Sequence, residues 1–473
     1  MLKTESKLNS WREKAKKRRV KIWDLEKRIK EVIVGRENWK QKYQALKLEN
    51  ARLQKELKSS FKEEKTKIKH HAYSAEEISF FLNLRTIGGC SLRGCLRVMQ
   101  VLYLVLGLNM KRPSPSTIRL WEIKLGYAKI QAKCEDTTSD WVLIFDESVN
   151  IGSEKMLLLI GVNLGEYKFD APLDIQNVDV LGIWINSSWK GVQIKPVIDS
   201  AIERNYNFKY CCSDNANNLR SALKMSDIIH IEDCGHSLGR VLERKYKKDS
   251  IYKKFSAQKT LFMKQNVLGK YAIFLPPKQR SKGRFMNLWS TCKWGMRMVY
   301  LAENWKKEGL TMDQFKKIKW ILNYKEFIEI LHKEQSIING VNKLLKHNGL
   351  SELIQQKCED LMKSSDVSES FKDEIRAYLK RNLSKLSEEK SIICSSDIIE
   401  SIFGKLKNKL AQNSSSGLTE GSLSIANYGN QVTPEEVKKA MEEVTIVDID
   451  NWRKDNLPES VLRRKRKLFK NTG

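Results

Sequence analysis

Acidic residues are too few to balance the basic ones in this chain of 473 residues, which has 57 Asp plus Glu against 86 Lys plus Arg and a formal net charge of +29. Such an excess of positive charge destabilises a compact state by self-repulsion unless a polyanion compensates it. Lys and Arg gain affinity for nucleic acid because they release counterions from phosphates. The composition therefore favours nucleic acid as the partner over a merely soluble, lysine-rich surface.

Long hydrophobic runs are also missing. The longest, Val98 to Met110, is interrupted by Gln100 and is too short to span a bilayer. No apolar segment follows the lysine-rich N-terminus, so no secretory signal is expected. The nine cysteines include no Cys-x-x-Cys pair, and several lie in apolar runs typical of buried thiols in a reducing compartment. We expect an intracellular protein without a membrane partner, cytoplasmic and, in a bacterium, nucleoid-associated.

Residues 1–70 contain no proline and carry a heptad repeat from Ile22 to Leu57. The a positions are 22, 29, 36, 43, 50 and 57, and the d positions are 25, 32, 39, 46 and 53. Asn50 at an a position favours a parallel dimer in one register. The sequence predicts a basic coiled-coil dimerisation arm with DNA contacts, the alternative being a single helix packed on its own core.

Residues 71–135 predict a helical domain. One helix is expected from Ser74 to Leu84 and another from Leu92 to about Leu106, and a turn then leads into a third helix. The third helix is expected to face outward with the DNA-binding side chains Thr117, Arg119 and Lys124. Two short helices joined by a polar turn suit a helix-turn-helix that reads the major groove. A plain helical hairpin is the alternative.

From Asp140 the pattern changes from helical to strand-like. Five strands are predicted, at Trp141 to Phe145, Met156 to Val162, within Leu173 to Ile185, at Phe208 to Cys212 and at Ile228 to Ile231. A helix from Lys190 to Arg204, whose first turn Pro196 leaves open, and a helix from Asn217 to Lys224 lie between the later strands. The order βββαβαβ is that of the ribonuclease-H fold. Residues 136–250 are therefore predicted to be the first part of an α/β ribonuclease-H-like catalytic core.

Acidic side chains follow two of these strands, Asp146 the first and Asp214 the fourth. The two strands are neighbours in that fold, so the carboxylates would lie side by side. Two Mg²⁺ or Mn²⁺ ions held by carboxylates can clamp the attacking and leaving oxygens of a phosphoryl displacement. The third acid would be Glu400, in a helix capped by Ser395 or Ser396 and with Lys407 on a basic side suited to DNA. Residues 391–412 are therefore assigned to the core.

Asp214 and Glu400 are far apart in sequence, and the residues between them are helical and lysine-rich. We expect residues 251–390 to form an all-α insertion domain. After the Glu400 helix, Asn413 to Gly417 is interpreted as a linker and Pro434 to Glu443 as a short helix. Residues 413–473 are thus predicted to be a linker and a basic C-terminal tail.

Four features together resemble the DDE transposases, and within them the hAT-like group. They are Asp146 after an apolar strand, Asp214 after the fourth strand, the string Asp233-Cys-Gly-His236, and Glu400 after a long helical stretch. Asp233 and His236 match the [Cys/Asp]-x-x-His element of that group. The resemblance implies a catalytic His236 near the scissile phosphate; a capping or core histidine is the alternative. The terminal helical segments also look like those of bacterial insertion-sequence transposases.

The hAT-like group carries a helical insertion in which a tryptophan stacks on a flipped base. The resemblance points to Trp294 for this role, with Trp289 and the cation of Lys293 beside it. A buried core tryptophan is the alternative. This chain departs from the group because no zinc-finger ligands precede the core, which leaves the mode of end recognition and the hairpin step open.

The sequence thus predicts a DNA transposase that cuts element ends and joins their 3′-hydroxyl ends to target DNA by two-metal phosphoryl transfer. Two alternatives keep the same core. One is a DNA-binding regulator that has lost catalysis, and the other is a structure-selective nuclease such as a junction resolvase.

Overall fold

The computed structural model describes residues 2–60, 66–107, 110–147, 154–278, 284–386, 390–410, 418–429, 431–459 and 461–470. The chain forms two compact units. One comprises Met1–Lys67 with Leu96–Arg112, and the other comprises Ile68–Cys95 with Pro113–Gly473. Among the described helices, none is long and apolar enough to cross a membrane.

Four helices precede the sheet: α1 (Leu2–Ser60), α2 (Ala75–Thr86), α3 (Leu92–Leu106) and α4 (Pro115–Gln131). In the smaller unit, α1 is one helix of 59 residues, which confirms the predicted helical arm. Its heptad side chains from Ile22 to Leu53 are exposed, including Val32 at 69%, Trp39 at 72% and Leu46 at 64%. A helix is normally stabilised by burying an apolar face, and within this chain α1 buries none of these three. The coiled-coil dimer stays a prediction.

The larger unit is built on a five-stranded mixed sheet. Its strands are β1 (Asp140–Glu147), β2 (Lys155–Asn163), β3 (Asp179–Asn186), β4 (Asn207–Ser213) and β5 (His230–Glu232), in the spatial order β3-β2-β1-β4-β5. The first three strands are antiparallel neighbours, whereas β4 is parallel to β1 and to β5. Helices α5 (Gly191–Ile202) and α6 (Asn217–Met225) follow β3 and β4. The predicted element order βββαβαβ is confirmed, and Pro196 lies inside α5 rather than at its start.

Alternation along β1 supplies the two faces of the sheet. Leu143 and Phe145 pack against α5 and α6, while Val142 and Ile144 point into the larger core on the opposite face. Since both faces are covered, β1 is a continuous apolar run rather than a pattern of alternating polar residues. This explains why the strand could be predicted from the sequence.

Helices make up most of the chain between β5 and the end of the core. They are α7 (Cys234–Tyr246), α8 (Ser250–Asn266), α9 (Trp289–Glu303), α10 (Met312–Ile318), α11 (Lys325–Asn348), α12 (Glu352–Lys363), α13 (Glu369–Leu383) and α14 (Asp397–Leu410). The segment expected to be an all-α insertion is helical wherever it forms regular structure among the described residues. It belongs to the same compact unit as the sheet.

The short helix predicted from Pro434 to Glu443 is present with these bounds, but the C-terminal segment around it is not a linker and peripheral tail as predicted. Three helices, α15 (Pro434–Glu443), α16 (Ile446–Asn456) and α17 (Val461–Lys470), follow a 3₁₀ segment at Glu420–Asn427. Leu423, Ile425 and Val437 are fully buried, because the 3₁₀ segment and α15 pack on α4. The proposed linker Asn413 to Gly417 lies outside the described residues.

Helix α4 is enclosed by this packing, which corrects a second prediction. Lys124 was expected to face outward, but it is only 8% exposed, and every residue from Trp121 to Gly126 is buried. Burial lowers the pKa of the Lys124 ammonium, which the charge of Asp448 partly opposes. Residues 121–126 of α4, which the helix-turn-helix prediction expects to contact DNA in part through Lys124, are therefore not accessible to DNA.

Gly126 gives a direct test of the docking of the 3₁₀ segment on α4. A Cβ at this position would lie 2.0 Å from the carbonyl oxygen of Leu423. We expect Gly126→Ala to lower the free energy of unfolding by about 3 kcal/mol, because backbone cannot move aside as a side chain can. Gly404→Ala is the matched control on α14, where a Cβ meets nothing within 4 Å. It should be neutral or gain about 0.5–1 kcal/mol. Equal effects of the two in chemical denaturation would contradict the docking.

Candidate active site

The two predicted acids of the sheet leave it at the same edge. Ile144 of β1 pairs with Cys212 of β4 in a parallel ladder, and each carboxylate comes two residues after its member of this pair. Asp146 lies near the end of β1, and Asp214 comes directly after β4. The register therefore brings Asp146 and Asp214 together, as the sequence predicted.

Asp146 is held in an environment that disfavours its charge. Burial raises the pKa of this carboxyl to about 7, and the nearby charge of Asp214 also acts to raise it. The backbone N–H of Glu147, which donates to Asp146 Oδ1 at 2.7 Å, and the charge of His236 act in the opposite direction. An additional cation at this edge of the sheet would stabilise the ionised form of Asp146, because it would offset the repulsion from Asp214.

Two cationic side chains from α7 flank Asp214. Arg240 donates to Asp214 Oδ1 at 3.2 Å, and His236 Nε2 lies 3.9 Å from Asp214 Oδ2. The other ring nitrogen of His236, Nδ1, lies 2.9 Å from Asp233 Oδ1. Burial lowers the pKa of His236, but the Asp233 hydrogen bond and the charges of Asp233, Asp214 and Asp146 outweigh it and raise the pKa to about 9. His236 is therefore a cation at neutral pH, set between two carboxylates.

Glu400 is on the predicted helix but is not drawn into this cluster. In α14 the stripe of Ile399, Ile402, Phe403 and Leu406 is buried, and α14 contacts β1. The Glu400 side chain itself is exposed. Among the described residues, no group of three or more His, Cys, Asp or Glu side chains is arranged to hold a metal ion. The structure thus brings together two of the three predicted acids.

A buried carboxylate joins the start of α14 to the start of α7. Asp233 caps α7 by accepting the His236 N–H through Oδ1 at 2.7 Å. Its other oxygen, Oδ2, accepts the backbone N–H of Ser396 at 2.7 Å and the Ser396 hydroxyl at 2.9 Å. The sequence offers Ser396 as a cap for its own helix, whereas its hydroxyl donates to Asp233, the residue that caps α7. No local sequence pattern reveals this bond, because the partners are 163 residues apart.

A cavity of about 620 Å³ opens beside His236 along α7 and α8. Its walls carry the cations Arg240, Lys247 and Lys253, the acid Glu243 and the aromatic rings of Tyr252 and Phe285. Residues 236, 240, 243 and 247 share one face of α7, since they follow helical spacing. Sequence reasoning missed Arg240, although its position one turn after His236 was a usable signal.

The tryptophan chosen for base stacking is part of a core. Trp294 is partly buried, its indole N–H donates to the carbonyl of Phe274 at 3.0 Å, and its ring packs near that of Trp320. A ring fixed in this way is not presented to a base. Lys407, on α14, lies over the ring of Phe403 at 5.9 Å.

Trp289 is the other aromatic residue of the pair. Its ring stacks on His332 with centroids 5.2 Å apart, and Lys293 Nζ lies 5.1 Å from its centroid.

At the start of α4, Arg119 is exposed and pairs with Glu420 at 3.0 Å. The nearby hydroxyl of Thr117 bonds to that of Ser114 at 2.8 Å.

No family model matches the chain, and no curated protein matches it. Among solved structures, the chain is similar to the transposase of the Drosophila P element strand transfer complex, with a TM-score of 0.42 and 13% sequence identity. The match covers 83% of this chain and 99% of that one. A TM-score of this size does not establish a shared fold.

Proposed function

We propose that this chain is a metal-dependent DNA transposase with a ribonuclease-H-like core. The observation that carries the proposal is the pairing of Asp146 and Asp214 at the ends of adjacent parallel strands, where each lies in the field of the other. The strand order β3-β2-β1-β4-β5, with β2 antiparallel to its neighbours, supports the assignment of the core.

The donor set fits a hard divalent cation. Asp146 and Asp214 supply carboxylate oxygens, which Mg²⁺ and Mn²⁺ prefer, and the charge of Asp214 contributes to the raised pKa of Asp146, a repulsion that a cation would relieve. We assign Asp146, Asp214 and Glu400 as the ligands of two such ions. Bound there, the ions would supply Lewis acidity to the scissile phosphodiester. Glu400 requires a local rearrangement of its exposed side chain to join them.

The chain's own cations have separate tasks in this proposal. His236, fixed by Asp233 and cationic at neutral pH, holds a non-bridging oxygen of the scissile phosphate. Arg240 neutralises Asp214 while DNA is absent and turns toward the phosphate when DNA binds. The excess of positive charge over the whole chain favours binding of the element end and the target DNA.

The proposal is tested by joining of a pre-cut element-end duplex, with its 3′-hydroxyl exposed, to plasmid DNA. We expect joining that depends on Mg²⁺ or Mn²⁺. Asp146→Ala, Asp214→Ala and Glu400→Ala should each reduce it about a hundredfold or more while DNA binding persists, because each removes a metal ligand. Asp170→Ala, at an exposed acid between β2 and β3, is the control and should act as wild type.

Other outcomes favour the alternatives. Metal-dependent cutting without joining would favour a structure-selective nuclease of the same core. Binding to several candidate ends without any chemistry would favour a regulator that has lost catalysis.

The cavity beside His236 is proposed to take one DNA strand. Its size falls within the range of small-ligand sites and cannot admit a duplex. Cations with an aromatic wall suit a phosphate backbone and an unpaired base. Four cationic side chains, His236 among them, outnumber the single acid Glu243 in the lining.

We therefore expect Lys247→Gln with Lys253→Gln to weaken binding of a single-stranded oligonucleotide about tenfold at low salt. The slope of log affinity against log salt should also fall by about 0.7 for each phosphate that is no longer neutralised. The matched control is Lys248→Gln with Lys254→Gln, the neighbouring lysines that do not line the cavity. Fluorescence anisotropy in EDTA measures both. Equal losses in the two double variants would show non-specific attraction instead of a strand site.

A parallel dimer through α1 completes the proposed assembly. The exposed heptad positions supply the apolar seam, and Asn50 sets the register. Val32→Lys at a d position should convert the dimer to a monomer in analytical ultracentrifugation, because it buries a charge in the seam. Val34→Lys, at the outer f position and similarly exposed at 59%, should leave the dimer intact. A wild-type chain that sediments as a monomer at micromolar concentration would remove this element of the proposal.

A further inference from the structure

The carboxylate of Asp233 makes more contacts than a helix cap requires. One oxygen accepts from both the backbone N–H and Nδ1 of His236, and the other accepts from both the N–H and the hydroxyl of Ser396. Asp233 is 1% exposed. An ionised carboxylate in such a place is stable only when it is fully hydrogen-bonded, and this one is supplied with four donors.

The chain that leads into α14 is attached to the sheet and to α7 at two further points. The backbone N–H of Cys234 donates to the carbonyl of Cys394 at 2.7 Å, and the N–H of Ile393 donates to the Tyr210 hydroxyl at 2.7 Å. These bonds hold residues 393–394 against the elements that carry Asp214 and His236. Ser396 then directs the chain into the helix.

Glu400 lies four residues after Ser396, which is about one helical turn. A displacement of Ser396 therefore passes to Glu400 with little loss, because the intervening residues are helical from Asp397 onward. Asp397, the first residue of α14, forms an ion pair with Lys346 of α11, which attaches the start of the helix at one more point.

We propose that Asp233 is a positioning residue that sets the place of Glu400 relative to Asp146 and Asp214 through its bonds to Ser396. The inference rests on the proposed function only in taking these three acids as metal ligands. It gives Asp233 two simultaneous tasks, since the oxygen that orients His236 and the oxygen that places α14 belong to one carboxylate. One carboxylate thereby fixes both the His236 ring beside Asp214 and the start of α14, the helix that carries Glu400.

Ser396→Ala separates these tasks, because it removes one donor on the α14 side and leaves the Asp233–His236 bonds in place. Its matched control is Ser395→Ala: the Ser395 hydroxyl accepts the Asp397 N–H at 3.4 Å and is not among the donors to Asp233. Mn²⁺ binding to the full chain, measured by electron paramagnetic resonance without DNA, is the readout. Thermal melting checks that each variant is folded.

We expect Ser396→Ala to weaken Mn²⁺ binding about tenfold, because it loosens the attachment of the helix that carries Glu400, and Ser395→Ala to leave it unchanged. In a Glu400→Ala background, Ser396→Ala should have no further effect, because its influence passes through Glu400. Asp233→Asn, which keeps one acceptor oxygen, should weaken binding at least as much as Ser396→Ala.

The different failures can be told apart. If Asp146→Ala binds Mn²⁺ as tightly as wild type, the proposed metal site is wrong. If Asp146→Ala and Glu400→Ala both weaken binding but Ser396→Ala does not, the site stands and the positioning role of Asp233 falls. An additive loss in the Glu400→Ala background would likewise overturn it and leave Ser396 with a general structural role.

Discussion

The carboxylate of Asp233 is the point on which the arrangement of this site depends. A buried charge is strongly unfavourable unless hydrogen bonds and an opposite charge replace the lost water. Here the donors come from two helices that are distant in sequence, and the opposite charge is His236. Since the carboxylate is stable only when both helices are present, it makes their mutual placement cooperative. The start of α7, the orientation of His236 and the entry into α14 are therefore linked.

The charges around the acid pair follow the same logic. Asp146 and Asp214 repel each other, and His236 and Arg240 compensate them from α7. These two cations also line the cavity that continues along α7. The same face of α7 therefore places cations beside the two carboxylates and in the wall of the cavity. A phosphate entering this space would meet cations already held near the acids, so little reorganisation of charge would be needed on binding.

The sheet could be predicted because its signals are local. Both faces of β1 and β2 are covered, so each strand is an apolar run. Asp146 near the end of β1 directly follows such a run, and Asp214 comes just after β4, and both placements are visible in the sequence. The burial of Lys124 could not be predicted, because residues 420–427 and α15 cover α4 from the far end of the chain. Trp294 was misjudged for a similar reason, since its indole partner Phe274 lies in a connection without a recognisable pattern. Local sequence patterns were sufficient to identify the strands and the acids Asp146 and Asp214. The burial of Lys124 and Trp294 depends on contacts with residues distant in sequence, which such patterns do not show.

The two halves of the candidate site consequently form in different ways. Asp146 and Asp214 are brought together by the register of the adjacent strands β1 and β4, whose apolar side chains share one core. Helices α7 to α13 lie between β5 and the helix that carries Glu400, and Leu350 pairs with Ile392 shortly before that helix begins. Closing so long a loop has an entropic cost that local propensity cannot offset, so tertiary bonds at residues 392–396 must supply the difference. The position of Glu400 therefore depends on contacts of the helical segment, in which α11 and α13 pack on α7, whereas the positions of Asp146 and Asp214 depend on the sheet.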